Sequence, residues 1–270
     1  MKEAMITLRG VQKSYGKHHV LKGVDLQINK GDIYGLVGKN GSGKTTIFKV
    51  ILGLSEFKSG ALTIDGHSGD DIYKGRQKIG FLVGSNFFPY MSARQNLEYY
   101  RKLKGIKDKA AIQRVLEMVE LDKVKAPYKS FSMGMKQRLG IANALLGEPE
   151  ILILDEPTNG LDPQGIVDIR SLVKRLNEEY GMTIIVSSHI LGELQNTANR
   201  FGIINEGIIM RELEDEDLQL ENDSLRIHVD DLEKAREALL AAGVKVLKEE
   251  RETRKLEDFY FDLLEGEHHE

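Results

Sequence analysis

The chain has 270 residues, 41% of them hydrophobic and 30% charged, with a net charge of −4 and no cysteine. That length supports a large core plus an appendage, and the composition is that of a globular protein. It excludes a disulfide framework and a thiolate metal site, and no apolar run reaches the ~18 residues that cross a bilayer.

The opening Met1-Lys2-Glu3-Ala4-Met5 lacks the apolar stretch of a secretory signal. Short apolar runs follow at Met5 to Leu8, Val24 to Ile28 and Ile33 to Val37. Turn signals separate them at Ser14-Tyr15-Gly16-Lys17 and Asn29-Lys30-Gly31-Asp32. This alternation predicts antiparallel strands leading into a buried one. Gly38 to Thr45 then reads Gly-Lys-Asn-Gly-Ser-Gly-Lys-Thr, a complete Gly-x-x-x-x-Gly-Lys-[Ser/Thr] phosphate loop, with a helix expected from Thr46 to Leu52. Gly38, Gly41 and Gly43 permit tight turns that aim backbone N–H groups at phosphate oxygens, and the helix start adds its positive end. Lys44 is placed to reach the β- and γ-phosphates and the Thr45 hydroxyl to ligate Mg²⁺. Lys39, Asn40, Ser42 and Thr46 complete the candidate phosphate contacts.

Beyond a strand at Gly60 to Ile64 and an Asp65-Gly66 turn, apolar residues fall at helical spacing from Ser92 to about Leu121. A second helix is expected from Met133 to Leu146, stopped by Gly147-Glu148-Pro149. The unbroken Ile151-Leu152-Ile153-Leu154 reads as a central strand buried on both faces. It delivers Asp155 and Glu156 to its carboxyl end, where open parallel sheets bind ligands. Asp155 is a candidate Mg²⁺ ligand, and Glu156 a candidate for polarising the attacking water. A helix at 163–179, strands at Thr183 to Ser187 and Phe201 to Ile204, and a helix after His189 continue the β/α alternation. Past residue 212 the charge changes: residues 212–270 hold 20 acidic and 8 basic side chains, against 22 and 30 in residues 1–211. A domain boundary at 211/212 is therefore expected. The tail pattern suggests a small βαββ-like unit, with segments at Leu225 to Val229, Asp231 to Ala242, Val244 to Lys248 and Phe259 to Leu263. The basic body is read as solvated surface plus phosphate binding, with no direct nucleic-acid partner.

Phe131-Ser132-Met133-Gly134-Met135 resembles the signature motif of ABC-type ATPases, usually Leu-Ser-Gly-Gly-Gln, in a variant common among bacterial exporters. Asn159-Gly160-Leu161-Asp162 resembles their D-loop, His189 after Ser187-Ser188 their switch histidine, and Tyr15 the aromatic residue that stacks on adenine, with Val20 as an apolar neighbour. The resemblance covers residues 5 to about 211. It implies an α/β P-loop NTPase (RecA-like) core with an antiparallel β subdomain, a helical insertion near 86–148 and a C-terminal α+β accessory domain at 212–270. It further implies ATP and Mg²⁺ as ligands and a head-to-tail homodimer, or a pairing with a second ATPase subunit. In that dimer Ser132, Met133 and Gly134 of one subunit face the nucleotide held by Lys44 of the other. The implied partner is a transmembrane permease subunit and the implied place the inner face of the cell membrane, most simply in an exporter. A soluble ABC-type ATPase and a weakly hydrolysing regulatory module are the alternatives.

One position departs from the family pattern. Where a glutamine is usual, after Ile79-Gly80-Phe81-Leu82-Val83, this chain has Gly84, and slowed or differently coupled hydrolysis is the expectation. The following Phe87-Phe88-Pro89-Tyr90-Met91 suits either core packing or a socket for a short helix of the membrane subunit.

Overall fold

Period-two alternation of apolar side chains organises the chain around two sheets. A computed structural model describes residues 3–82, 86–214, 217, 229–244 and 246. Strands β1 (Ala4–Tyr15), β2 (His18–Asn29) and β4 (Ser59–Ile64) form an antiparallel sheet in the order β2-β1-β4. Strands β3 (Ile33–Val37), β5 (Ile79–Leu82), β6 (Ile151–Leu154), β7 (Thr183–Ser188), β8 (Arg200–Asn205) and β9 (Ile208–Glu214) form a six-stranded sheet in the order β5-β6-β7-β3-β8-β9. It is parallel except for β9, which runs antiparallel to β8.

This second sheet separates two cores. In β6, Leu152 and Leu154 face one core with the helical insertion, while Ile151 and Ile153 face the other with the antiparallel sheet. β3 alternates the same way, with Ile33 and Val37 on the first side and Tyr34 and Leu36 on the second. All four β6 side chains are buried, as a strand covered on both faces requires. Burying each such aliphatic chain contributes about 1.5–3 kcal/mol.

Helix α1 (Lys44–Ile51) follows β3 and begins two residues earlier than the apolar spacing suggests, so Lys44 and Thr45 lie in its first turn. The short α2 is Ile72–Arg76. The predicted helical stretch of 92–121 is two helices, α3 (Ala93–Leu103) and α4 (Ala110–Met118), parted at Gly105, whose φ of +69° breaks the helix. Ser92 and Gln95 cap α3 reciprocally. Next come α5 (Met133–Leu145), capped by Ser132, and α6 (Pro163–Tyr180), capped by Asp162 with Pro at the first position. The short α7 (Leu191–Gln195) lies between β7 and β8.

The boundary expected at 211/212 falls inside β9, which the alternation read from the sequence did not contain. Contacts divide the chain instead into Met1–Leu220 and Glu221–Glu270. Glu212 and Glu214 owe their place to a cation: Arg200 meets Asp32 at 3.0 Å, Glu214 at 3.4 Å and Glu212 at 3.8 Å. The buried Tyr34 hydroxyl donates to Glu212 at 2.8 Å, and burial with that carboxylate beside it pushes the hydroxyl well above its ordinary pKa. Glu212 and Glu214 thus belong to the sheet of the first unit. In the second unit, α8 (Leu232–Ala241) starts at Asp231, whose side chain accepts from the N–H groups of Glu233 and Lys234. The expected segments at 225–229 and 244–248 fall largely, and that at 259–263 wholly, outside the described residues.

The insertion presses on the sheet through a glycine. A Cβ on Gly80 of β5 would lie 2.3 Å from the Ala144 carbonyl oxygen of α5 and 2.8 Å from Pro149. Gly80→Ala is expected to cost about 1–3 kcal/mol, because backbone must move. Gly147→Ala, with nothing within 4 Å, is the control. Denaturant midpoints that coincide for the two variants would overturn this account of the contact.

Candidate active site

The phosphate loop leaves the carboxyl end of β3 and is held by its neighbours. Gly38 donates its N–H to the Ser188 carbonyl at 3.3 Å, Ser42 donates to Lys39 at 3.1 Å, and Gly207, in the turn between β8 and β9, donates to Ser42 at 2.9 Å. Gly41 and Gly43 have φ of +79° and +115°, open to glycine and costly for other residues. A Cβ on Gly38 would sit 2.4 Å from the Ile204 carbonyl oxygen. Among the described residues, the N–H groups of Gly43, Lys44, Thr45 and Thr46 have no protein acceptor. The buried Ser42 hydroxyl also lacks a partner. Lys44, only 5% exposed, folds its ammonium onto the Gly38 carbonyl at 2.6 Å and that of Lys39 at 3.3 Å. Unpaired donors, a buried cation and the positive end of α1 converge on one spot, which suits a chain of phosphates.

The acidic element lies across from it. Thr45 Oγ1 donates to Asp155 Oδ2 at 2.7 Å, and Ser187 Oγ donates to Asp155 Oδ1 at 2.7 Å. The same Ser187 oxygen accepts the Glu156 N–H at 2.9 Å. Glu156 has φ of +48°, a left-handed conformation that costs a non-glycine residue about 1–2 kcal/mol. That backbone sets its carboxylate between two cationic or donor groups, Lys44 Nζ at 3.3 Å from Oε1 and His189 Nδ1 at 3.3 Å from Oε2. The hydroxyl and carboxylate oxygens of Thr45 and Asp155 are the donor type of a hard cation. No cluster of three or more His, Cys, Asp or Glu suited to a metal occurs among the described residues. A Mg²⁺ ion fits here as a shared ligand of protein and phosphate, the usual arrangement for that ion.

Lys44, Thr45, Asp155, Glu156 and His189 are therefore brought together. The signature residues are not: no hydrogen bond or ion pair joins Ser132, Met133 or Gly134 to the phosphate loop among the described residues. Ser132 caps α5 by accepting from the Met135 N–H at 3.2 Å, Met133 is 51% exposed, and a Cβ on Gly134 would meet only the Ser132 hydroxyl, at 4.0 Å. Tyr15, at the end of β1, is 48% exposed, with its hydroxyl 3.2 Å from that of Ser55 and Lys13 Nζ 4.8 Å from its ring centroid. One face of the ring thus carries a cation, and the ring remains open enough to stack a base. Val20 is half-buried, its carbonyl oxygen 3.5 Å from where a Gly43 Cβ would be.

Sequence reasoning passed over four residues that shape the site. Ser187 positions both Asp155 and Glu156, yet it reads as one more residue of a buried strand. Thr158 and Glu193 meet at 2.7 Å across loops that follow different strands. Arg138, just past the signature, bridges Glu120 and Asp168 at 2.8 Å each, and Glu120 also pairs with Arg175 at 2.9 Å. This chain of charges ties α5 to α6, the helix that Asp162 caps. The one surface signal, their charge, is shared with every solvated helix face. Gly84 lies outside the described residues.

The family model for the ABC transporter matches residues 21–159 of this chain. The chain belongs to that family. Among its relatives, this ABC ATP-binding subunit is 43% identical over 221 residues to the uncharacterized ABC transporter ATP-binding protein YcbN of Bacillus subtilis (strain 168), covering 81% of the chain and 72% of YcbN. It is 42% identical over 224 residues to the bacitracin transport ATP-binding protein BcrA of Bacillus licheniformis, with the same coverage. A dimeric structure of the ATP-binding cassette MJ0796, in a post-hydrolysis state bound to ADP and Pi, superposes with a TM-score of 0.69 at 32% identity. That match covers 78% of this chain and 99% of the cassette. The fold is that of a P-loop ABC cassette, and the subunit is an ATPase.

Proposed function

We propose that this subunit powers an exporter by closing on ATP with a second copy of itself and opening after hydrolysis. The observation that carries the reading is Glu156, held at 3.3 Å from both Lys44 and His189 beside a cradle of unpaired amides. In this assignment the loop residues 38–46 grip the phosphates, Tyr15 stacks on the adenine and Val20 packs beside it. Thr45 and Asp155 would hold Mg²⁺, which supplies neutralisation of the developing phosphate charge. Glu156 orients the attacking water and takes its proton. His189 keeps Nδ1 toward Glu156 and leaves Nε2 for the γ-phosphate.

Each chain carries only half of this site. Ser132 and Gly134 open a 13-residue helix on another part of the surface, and the partner copy supplies theirs to the γ-phosphate. The dimeric MJ0796 cassette and the name of BcrA support dimerisation and transport. The domain scheme belongs to the same reading: an ATPase body with residues 86–148 as the inserted helical part, followed by an acidic accessory unit.

The permease is proposed to dock on the insertion. Phe87 turns inward against Tyr100 and Tyr128, but Phe88, packed on Tyr99, is exposed, as are Tyr90 and Met91. The loop is stiff because the buried Asn96 side chain bonds the N–H and carbonyl of Phe88 and the carbonyls of Met91 and Ser92. No helix among the described residues is long and apolar enough to cross a membrane; in this reading it is the permease contact that would hold the subunit at the inner membrane face.

Ser132→Arg tests the shared site. It should leave ATP binding to one subunit within about twofold, since Ser132 touches nothing in the phosphate loop of its own chain, while abolishing ATP-induced dimers by placing a bulky cation at a tight interface. Sizing by light scattering with ATP, in a hydrolysis-deficient background, reads the result. Dimers that persist in the variant would defeat the head-to-tail arrangement.

A further inference from the structure

Glu193 lies in the short helix after β7, four residues beyond His189, and one of its carboxylate oxygens carries two hydrogen bonds. Thr158 Oγ1 donates to Oε2 at 2.7 Å, and Ser188 Oγ donates to the same oxygen at 2.9 Å. The Ser188 hydroxyl in turn accepts the Ile190 N–H at 3.0 Å. Both backbone neighbours of His189 are thereby fixed, and Thr158 lies two residues after Glu156. The two members of the His189–Glu156 contact each stand within two residues of a hydroxyl clamped on one oxygen. Glu156, Asn159, His189 and Glu193 line a common cavity of about 140 Å³. Glu193 is half-buried, and the Thr197 hydroxyl donating to its carbonyl at 3.0 Å steadies the turn that bears it.

We propose that Glu193 is a positioning residue that locks the loop after β6 to the loop after β7, holding His189 and Glu156 in register for the γ-phosphate. The inference rests on the roles given above to those two residues. Charge-assisted bonds from two hydroxyls to one carboxylate are stronger than neutral ones. They join segments whose mutual drift of 1 Å would separate His189 from Glu156. Glu193 makes no contact with Lys44 or the loop amides, so nucleotide affinity does not depend on it. Its effect belongs to the chemical step, where misplacement by that much costs about 100-fold.

Glu193→Ala is expected to lower kcat by about 10- to 100-fold while KM for ATP and the affinity for a fluorescent ATP analogue stay within about threefold. Glu193→Gln retains a carbonyl oxygen that accepts from both hydroxyls, and most of the lost rate should return. Thr158→Val removes one arm of the clamp, and in the Glu193→Ala background it should cost little more than Glu193→Ala alone. A merely structural residue would lower the melting temperature and move KM and kcat together. Parent-like kcat in Glu193→Ala would overturn the proposal, as would a Glu193→Gln rate as low as that of Glu193→Ala, or full additivity with Thr158→Val. Glu156→Gln run alongside separates the two readings. If it keeps parental turnover the proposed catalytic roles fail, whereas if it is inactive while Glu193→Ala is fully active only the clamp fails.

Discussion

Glu156→Gln is expected to keep ATP bound while cutting turnover by about 10²- to 10⁴-fold, the contribution typical of a positioned general base. The reason is geometric. Glu156 sits at a left-handed φ of +48° that points both carboxylate oxygens into the site, one 3.3 Å from Lys44 and the other 3.3 Å from His189. An amide retains the size and one acceptor, so the cradle persists, but it has no basic oxygen to receive the proton of water. ATP should then accumulate between two copies of the chain, because opening follows hydrolysis. Single-turnover phosphate release and sizing in ATP measure the two consequences separately. Parental phosphate release from Glu156→Gln would remove Glu156 from the chemistry.

Lys44→Ala should act one step earlier. Its ammonium is buried and coordinated by two loop carbonyls, so it is already oriented toward the place where phosphate oxygens collect. Loss of a desolvated cation facing an anion costs about 2–5 kcal/mol, or roughly 30- to several thousand-fold in affinity. Titration with a fluorescent ATP analogue reads that loss, and circular dichroism confirms that the variant is folded. Affinity within threefold of the parent would mean that the phosphates lie elsewhere. The two variants thus divide the site by function: Lys44→Ala loses binding, and Glu156→Gln loses turnover with binding intact.

Much of the site was legible because its chemistry is tied to local backbone. A phosphate loop must be contiguous, since its glycines and the first turn of α1 have to surround one ligand, and the run from Gly38 to Thr46 therefore appears intact in the chain. Asp155 and Glu156 were legible for a related reason: four consecutive apolar residues can only be a strand buried on both sides, and its end is where ligands meet an open parallel sheet. The break between α3 and α4 at Gly105 was harder to see, because the apolar spacing on either side continues in phase. β9 was hidden for a different reason. Its side chains are mostly exposed and show no alternation of apolar and polar residues, and the contact of Glu212 with Tyr34 spans 178 residues of chain.

By itself, then, the sequence determined the ligand class, the β/α alternation through β8 and the residues that could meet a triphosphate. Those properties follow from short-range rules of turn geometry and side-chain periodicity. Only the tertiary structure decided how these residues are aimed. Ser187 orients Asp155 and Glu156 from a strand that is neighbour to theirs only in space. Glu193 joins Thr158 to Ser188 across two loops, and Arg138 ties the signature helix to α6. Such contacts form between segments that no periodicity relates, because packing of the parallel sheet, not chain proximity, sets which loops lie side by side.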